Sequence, residues 1–508
     1  MGIATEAAVR AAITSREIAG PRESGMLSGV LQGTSAMNQP RPDMSAAETP
    51  ATSPAASSQD PTRRLLQGPI APTLLRLALP NVGEAGARIA FIACDAVFVG
   101  WLGTEALAAV ALVFPLFLVV QMISAGGLGS GVAAAIARAL GAGDQAAASR
   151  IAMQGLLMAV LSGLAVALVM LLAGPALYAA LGAEGATLQE ALLYSGLVFG
   201  GGLLVWLMNI SANILRGTGN MLVPARAIVV GEIAHLVLSP VLILGLGPFP
   251  ALGVVGAAIG VLAAYGLGAG LILLHLGRGR SVIRFTRAAL RVEPGDRAAI
   301  LKVGLFSGLN ILQFQITTVI LTGYVAHFGA TTLAGFGAAL RLELLQIPLI
   351  FAFGSAIITM TASNLGAGQV ARVAAIARLG LLLATGIGLG FAALAGLAPG
   401  AWMALFTDEA AVAGAGTHYL VIIALTLPLS GLGLGGFFVC MGIGKVGLAF
   451  AIGTLRLVLI AALGALALRL DAMTPGLLYL ATAAVLMLYG IAMGLLARRV
   501  VREAAGTA

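Results

Sequence analysis

GLGSGVAAAIARALGAG, residues 127–143, returns 225 residues later as AFGSAIITMTASNLGAG, residues 352–368. Gly129, Gly141 and Gly143 keep glycine counterparts at this offset. A repeat of this kind predicts two structurally similar halves, and in an apolar chain such halves are typical of transporters. A substrate path between the two halves is therefore the leading hypothesis.

The composition places most of the chain in lipid. Hydrophobic residues make up 59% of the sequence and charged residues 9%, whereas soluble domains carry roughly 25% charged residues. Cys94 and Cys440 lie inside apolar runs, so we expect two free core cysteines and no disulfide. The net charge of +8 invites a nucleic-acid interpretation, but the positions of the charges argue against it. No nucleic-acid partner is expected.

The first part of the chain differs from the rest. Residues 1–65 are rich in Ala, Ser, Pro and Thr and contain no sustained apolar run. A secretory signal needs a basic region followed by a continuous apolar segment, so none is predicted. The composition predicts a disordered N-terminal tail.

From residue 72 the chain divides into about twelve apolar segments, each near the ~20 residues that a helix needs to cross a bilayer. The fold class predicted is therefore all-α integral membrane, with about twelve transmembrane helices. The spans are placed near 72–100, 107–139, 147–174, 188–216, 221–245, 251–276, 297–325, 331–365, 372–397, 411–440, 446–469 and 475–497.

The basic residues indicate an orientation. With the N-terminus in the cytoplasm, 21 Lys and Arg residues fall to the inside connections, Arg216 and Arg456 among them, and only Arg469 falls outside. This is the segregation that the positive-inside rule requires. Both termini are therefore predicted to be cytoplasmic.

Six spans per half make the repeat parallel, because both halves then enter from the same side. We predict two six-helix lobes, an N-lobe at 66–277 and a C-lobe at 297–498, related by a pseudo-two-fold axis. A basic linker at 278–296 joins them, and a short C-terminal tail follows at 499–508. The linker is expected to be solvated and to fix the topology, although its charges could also bind acidic lipid head groups.

Ionisable residues inside a membrane are costly, so each is a candidate site. Glu84, Arg88 and Asp95 lie on one face of the first span. Glu84 and Arg88 can pair as i, i+4 neighbours, which leaves Asp95 without an obvious local partner. A buried unpaired carboxylate binds a proton more readily, as proton coupling requires, whereas sodium would need several further oxygen ligands. The alternative is that Asp95 only ties helices together.

The fifth span carries a second group. Glu232, His235 and Ser239 share one face, beside Pro240. Because imidazole titrates near neutral pH, Glu232 and His235 could form a proton relay. The alternative is a histidine that only packs between helices.

Other polar residues lie deep in the predicted spans. Arg341 and Glu343 on the eighth span point in different directions, so each needs a partner on another helix. Uncharged side chains could face a central cavity or hydrogen-bond helix to helix. They are Asn209 and Asn213 on the fourth span and Asn310, Gln313 and Gln315 on the seventh.

Motifs for catalysis are absent from the sequence. It has no P-loop, GxSxG, HExxH or CxxC pattern, so we expect neither an enzyme nor a metal site. GLGSG at 127–131 interrupts an apolar helix, where glycines allow close packing or bending.

The run LALPNVGEAGARIAFIACDAVFVGWLGTEALAAVAL at 77–112 resembles the first span and loop of the multidrug and toxic compound extrusion (MATE) transporters. The resemblance covers roughly residues 70–500 and is greatest to the bacterial branch typified by the DNA-damage-inducible protein F. Further similar motifs are RALGAGD (138–144), LRGTGN (215–220), GVVGAAIG (253–260), LKVGLFSGLN (301–310) and ASNLGAGQ (362–369).

The resemblance implies two six-helix lobes around a V-shaped cavity and export of amphipathic, often cationic compounds against H+ or Na+. Asp95 matches the family's acidic coupling residue, and Pro80 and Asn81 match the bend of the first helix; Asn81 joins the candidate cavity residues. Two positions depart from the pattern. Ser239 stands where an acidic residue often precedes the proline, and Phe306 stands where a proline is expected.

These observations favour a secondary active exporter of the bacterial inner membrane that works as a monomer. Its partners would be small-molecule substrates and the lipid bilayer, with H+ or Na+ as coupling ion and no other cofactor. One alternative is a flippase for a lipid-linked or polysaccharide precursor, which should hold phosphates with several cavity Arg or Lys residues; the sequence offers Arg88 and Arg341. Another is a non-transporting membrane scaffold or sensor.

Overall fold

The computed structural model describes residues 61–291, 293–470 and 474–506, all of whose regular structure is helical. Most of the predicted tail lies outside these residues. The helices are α1 (Pro61–Gln67), α2 (Ile70–Gly100), α3 (Thr104–Met122), a π-helical segment (Ile123–Gly129), α4 (Ser130–Gly141), α5 (Gln145–Ala180), α6 (Gly185–Gly200), α7 (Gly202–Gly217), α8 (Leu222–Leu244), α9 (Val254–Gly277), a 3-10 turn (Arg287–Leu290), α10 (Pro294–Ala326), α11 (Ala330–Gly366), α12 (Val370–Leu397), α13 (Pro399–Met403), α14 (Ala410–Ala424), α15 (Leu427–Ile443), α16 (Gly447–Arg469) and α17 (Pro475–Gly506).

The predicted spans are present as helices. Within the described residues, nine helices are long and apolar enough to cross a membrane, and two pairs bent by 41° and 56°, α6/α7 and α14/α15, raise the count to eleven. Helix α2 has 31 residues, about 46 Å at 1.5 Å per residue, and carries Arg76 besides Glu84, Arg88 and Asp95. With α2, the prediction of about twelve spans is confirmed.

Helix α2 continues through Pro80 as a single helix. The bend that the resemblance places there is therefore not a break in the helix, because a long helix can lose one backbone hydrogen bond and continue. Helix α10 is likewise continuous through Phe306.

The duplicated glycines have duplicated neighbours. A Cβ at Gly155 of α5 would crowd Val132, and a Cβ at its counterpart Gly380 of α12 would crowd Ile357. Val132 and Ile357 are themselves 225 positions apart. The sequence repeat therefore records one packing scheme used twice, in α2–α9 and again in α10–α17.

The repeat also explains how the two lobes meet. Gly141 at the end of α4 lies against the backbone of Ser363 on α11, and Gly366 at the end of α11 lies against the backbone of Arg138 on α4. Arg138 and Ser363 are separated by the same 225 positions. The contact is thus reciprocal, which places the pseudo-two-fold axis between α4 and α11.

Hydrogen bonds between the lobes concentrate near this contact. Arg138 Nη2 donates to Gly442 O at 3.0 Å, and Thr359 Oγ1 donates to Arg216 O at 3.1 Å. Asn364 Nδ2 donates to Leu65 O at 3.0 Å. We call this end of the bundle, where α4, α7 and α11 end and α1 docks, the basic end.

Helix α1 sharpens one predicted boundary. Residues 61–65 were assigned to the disordered tail, but they are helical and Leu65 is buried in the core of the second lobe. Arg372 Nη2 also donates to Gly68 O at 2.7 Å. Residues 61–65 are therefore helical rather than part of a disordered tail, because Leu65 finds partners for both its side chain and its carbonyl group.

The linker at 278–296 contacts α5 through a few of its residues. Ile283 is fully buried, and the Arg284 amide donates to Ser149 Oγ at 3.0 Å. Arg150 Nε lies 3.1 Å from Asp296 Oδ2. The arginines at 278, 280, 284, 287 and 291 are exposed, so the charge run faces solvent while Ile283 and these polar contacts anchor the segment.

Candidate functional site

Asp95 of α2 and His235 of α8 form a buried pair in the first lobe. His235 Nε2 lies 3.0 Å from Asp95 Oδ1, and the two side chains are 0% and 6% exposed. The expectation that Asp95 lacks a local partner holds only within α2, because the partner comes from a helix 140 residues further along the chain. The buried acid and the buried base therefore form one unit.

A second, longer chain of charges lies beside this pair. Arg216 Nη2 donates to Glu84 Oε2 at 2.6 Å, and Arg88 Nη2 lies 3.6 Å from Glu84 Oε1. Arg88 Nε lies 3.8 Å from Glu232 Oε1. Glu232 and His235 thus contact different residues of α2, so the structure does not join them in the direct relay considered above.

Arg216 is a site residue that the sequence interpretation missed. It was counted among the inside connections because it ends the fourth predicted span, yet only 6% of the residue is exposed. Nothing in the sequence links Arg216 to its partner Glu84, because the pair joins two helices that are 132 residues apart in the chain. The chain of four groups, Arg216, Glu84, Arg88 and Glu232, contains two charges of each sign.

Several buried polar atoms of this site have no hydrogen-bond partner among the described residues: Glu232 Oε2, His235 Nδ1, Ser239 Oγ and Arg216 Nε. The ring of His235 packs on Phe91 with a centroid separation of 4.3 Å. Its Nδ1 faces α9 near Gly260, and the fully buried Ser239 occupies the neighbouring position. Gly260 therefore provides the space in which His235 and Ser239 approach α9.

A cavity adjoins the charges of the first lobe. It is bounded by α2, α3, α7, α8 and α9, and Arg88, Glu232 and Gln121 supply its polar wall. Aromatic and aliphatic side chains supply the rest. They are Phe91, Ile92, Phe114, Phe117, Leu118, Met208, Ile228, Ala264 and Tyr265.

The asparagines of the fourth span are engaged in helix contacts. Asn209 Nδ2 donates to Ser124 Oγ at 2.7 Å, and Asn213 Nδ2 donates to Ala125 O at 3.2 Å. Both acceptors lie in the π-helical segment, whose backbone geometry departs from the α-helical pattern. This is the helix-to-helix alternative, and it accounts for the GLGSG region as a bent, closely packed segment.

Asn81 also makes a structural contact. Its Nδ2 donates to Ala352 O of α11 at 3.2 Å, so it joins the two lobes. The side chain is buried.

The predicted residues of the second lobe lie in two places. Tyr419 OH donates to Glu343 Oε2 at 2.9 Å, while the exposed Arg341 stacks on Phe406 at 5.2 Å. Deeper in the lobe, Gln313 Nε2 donates to Thr454 Oγ1 at 2.6 Å. Arg341 and Glu343 thus find separate partners, as their spacing predicted.

Arg456 of α16 is the second residue that the sequence interpretation missed. It lies inside the predicted span 446–469, but it was assigned to an inside connection near Lys445. In the structure it is buried, with its guanidinium 5.6 Å from the Phe314 ring centre and 4.7 Å from that of Tyr489. The expectation that only Arg88 and Arg341 are available inside the membrane is therefore wrong.

A polytopic helical bundle built twice, with ionised side chains buried in its interior, defines a membrane transporter. The sequence model of the MatE family matches residues 90–241 and 307–465, one match in each lobe. The chain therefore belongs to the MatE family, the multidrug and toxic compound extrusion transporters. The family resemblance seen in the sequence is confirmed.

Known proteins agree with this assignment. The chain is 31% identical over 314 residues to a protein of Shewanella oneidensis named "FAD transporter", covering 61% of this chain and 68% of that protein. It is 25% identical over 319 residues to the probable multidrug resistance protein YoeA of Bacillus subtilis, covering 62% and 67%. The outward-facing conformation of a multidrug resistance MATE family transporter superposes with a TM-score of 0.81 at 26% identity, covering 88% of this chain and 99% of that one.

Proposed function

We propose that this protein is a proton-coupled exporter of amphipathic aromatic compounds in the bacterial inner membrane, with both termini in the cytoplasm. The observation that carries the proposal is the buried Asp95–His235 pair. Binding of one proton changes the net charge of this buried pair. Proton binding therefore changes the cost of burying this site, which is the differential binding that alternating access requires.

The same pair favours H+ over Na+. A sodium ion is a hard cation that prefers several oxygen ligands, whereas one side of Asp95 is taken by an imidazole nitrogen at 3.0 Å. The geometry therefore supports proton transfer at this place.

A route from the charges to the lobe contact passes through Arg216. Its side chain donates to Glu84, which lies eleven residues before Asp95 on α2. Its backbone oxygen accepts from Thr359 of the second lobe. Arg216 thus contacts both the chain of charges in the first lobe and the second lobe at the basic end. We propose that a change in the charge of the first lobe alters the position of α7 and loosens this contact.

The cavity of the first lobe supports the substrate class. Its wall combines the aromatic rings of Phe91, Phe117 and Tyr265 with the paired side chains of Arg88 and Glu232. The aromatic faces and the unpaired Glu232 Oε2 suit a flat, positively charged molecule. The relatives' names differ, one being an FAD transporter and the other a probable multidrug resistance protein, so this cavity is the better guide.

The test is transport by the purified full chain in proteoliposomes, with ethidium as substrate and an imposed pH gradient. We expect flux that follows the pH gradient, that is unchanged when Na+ is replaced by K+, and that is lost in Asp95→Asn. Asp144→Asn is the matched control, because Asp144 caps α5 at the Ala147 amide and asparagine caps equally well. Unchanged flux in Asp95→Asn, or flux that requires Na+, would contradict the proposal.

A further inference from the structure

The two lobes place opposite charges at corresponding depths. The offset of 225 aligns Glu232 on α8 with Leu457 on α16, the residue next to Arg456. Gly103 before α3 and Gly329 before α11 are 226 positions apart, and on this offset Arg88 corresponds to Phe314. The first lobe thus has a buried acid on its fifth span where the second lobe has a buried base.

Arg456 lies deep in the bundle. It is nine residues from the start of α16 at Gly447, about 14 Å along the helix, and 6% exposed. A charged group at this depth is costly and marks a functional site by default. The guanidinium carbon lies over the rings of both Phe314 and Tyr489.

One edge of this guanidinium has no partner. Among the described residues, Arg456 Nε and Nη2 are buried without a hydrogen bond, and Arg456 belongs to none of the ion pairs within 4.0 Å. Glu343 interacts with it only through longer-range electrostatics, since its carboxylate accepts from Tyr419. The Nε and Nη2 groups share the edge of an arginine that binds two oxygens of a carboxylate or phosphate side by side.

Two unpaired acceptors lie one turn away. Asn310 Oδ1 and Gln313 Oε1 are buried without a hydrogen-bond partner among the described residues. They point at Gly453, where a Cβ would lie 2.7 and 2.6 Å from these atoms. Gly453 precedes Arg456 by three positions on the same face of α16. Unpaired donors and acceptors are thus collected at one place.

We infer that Arg456, Asn310 and Gln313 form a subsite in the second lobe for the phosphate or carboxylate group of an aromatic substrate. The guanidinium edge binds the anionic oxygens, and the two amide oxygens accept from hydroxyl groups next to them. The inference rests on the proposed function, because it gives the exporter a second class of substrate that the first-lobe cavity does not suit.

The test uses flavin mononucleotide and riboflavin, which differ by one phosphate group. Binding is measured by quenching of flavin fluorescence on the full chain in nanodiscs of zwitterionic lipid, without a pH gradient. We expect the wild type to bind flavin mononucleotide roughly tenfold or more tightly than riboflavin, as charged hydrogen bonds imply. Arg456→Gln should abolish the difference. The exposed Arg378→Gln on α12 removes an equal charge elsewhere and should keep it.

Arg456→Lys keeps the charge but loses the paired N–H edge, so it should retain only part of the preference, and it provides a folded variant if Arg456→Gln is unstable. The same titration in nanodiscs with phosphatidylglycerol distinguishes two sources of the anionic group. If phosphatidylglycerol weakens flavin mononucleotide binding to the wild type but not to Arg456→Gln, the subsite binds a lipid head group. If phosphatidylglycerol leaves flavin binding unchanged, the subsite binds a soluble substrate.

Equal binding of the two flavins by the wild type would overturn the inference, as would equal weakening of both by Arg456→Gln. Asp95→Asn separates this result from the proposed function. If Asp95→Asn binds flavin mononucleotide like the wild type and also exports ethidium like the wild type, the proton-coupling proposal fails and the subsite stands. If flux is lost as expected while the flavins bind equally, the subsite fails alone.

Discussion

Replacing Gly141 with alanine tests whether the reciprocal glycine contact holds the lobes together at the basic end. A Cβ at Gly141 would lie 2.7 Å from the carbonyl carbon of Ser363 and closer still to its oxygen, whereas ordinary contacts begin at 3.4 Å. Both groups belong to backbone, which cannot rotate away. Helices α4 and α11 must therefore separate by at least about 0.7 Å, the difference between these two distances.

The cost falls on the joined arrangement of the lobes, because only there does Gly141 meet Ser363. Overpacking of this kind costs about 1–3 kcal/mol. Such a penalty moves a two-state equilibrium by roughly five- to 150-fold. We therefore expect Gly141→Ala to populate a state in which the basic end is open.

The assay is the labelling rate of a cysteine placed at the contact. Ala137 of α4 is fully buried among second-lobe side chains, so Ala137→Cys is protected while the lobes are joined; Cys94 and Cys440 are replaced in the background. A water-soluble maleimide should label it at least about five times faster in Gly141→Ala. Gly386→Ala on α12 is the control, because nothing lies within 4 Å of its Cβ. Equal rates in the two folded variants would refute the reasoning.

Two further changes test the interior of the first lobe. Glu84→Gln leaves Arg216 and Arg88 without their shared carboxylate, and breaking a buried pair costs about 3–5 kcal/mol. The thermal midpoint in detergent should fall clearly, while the exposed Glu184→Gln stays near wild type; equal midpoints would show that the ion pair adds no stability. Asn213→Leu leaves Ala125 O of the π-helical segment without its donor, at a cost of about 1–3 kcal/mol. Its midpoint should fall by several degrees, and an unchanged value would mean that water replaces the amide.

Predictions from the sequence were reliable wherever the signal was local or repeated. Twelve apolar segments become helices because each must satisfy its own backbone in lipid, which is a property of the segment alone. The residues of α2 that share a face, Glu84, Arg88 and Asp95, also follow from helical spacing. The fold class was thus available before any contact was known.

Which side chains of different helices meet could not be predicted from the sequence in this way. Arg216 and Arg456 look like topology signals because they stand near basic connections, and only burial shows that they are interior charges. The separation of Glu232 from His235 is equally invisible along α8, since two residues on one face can meet different partners on α2.

By itself, the sequence determined a duplicated bundle of membrane helices with its ionisable groups concentrated in the first half. The glycine repeat carried this information because glycine is required wherever two backbones touch, as at Gly141 and Gly366. Only the tertiary structure decided which charges meet. It pairs Asp95 with His235, and among the described residues it gives Arg456 no acidic partner within 4.0 Å. Helix spacing fixes directions on one helix, whereas charge pairing depends on distances between helices that are far apart in the chain.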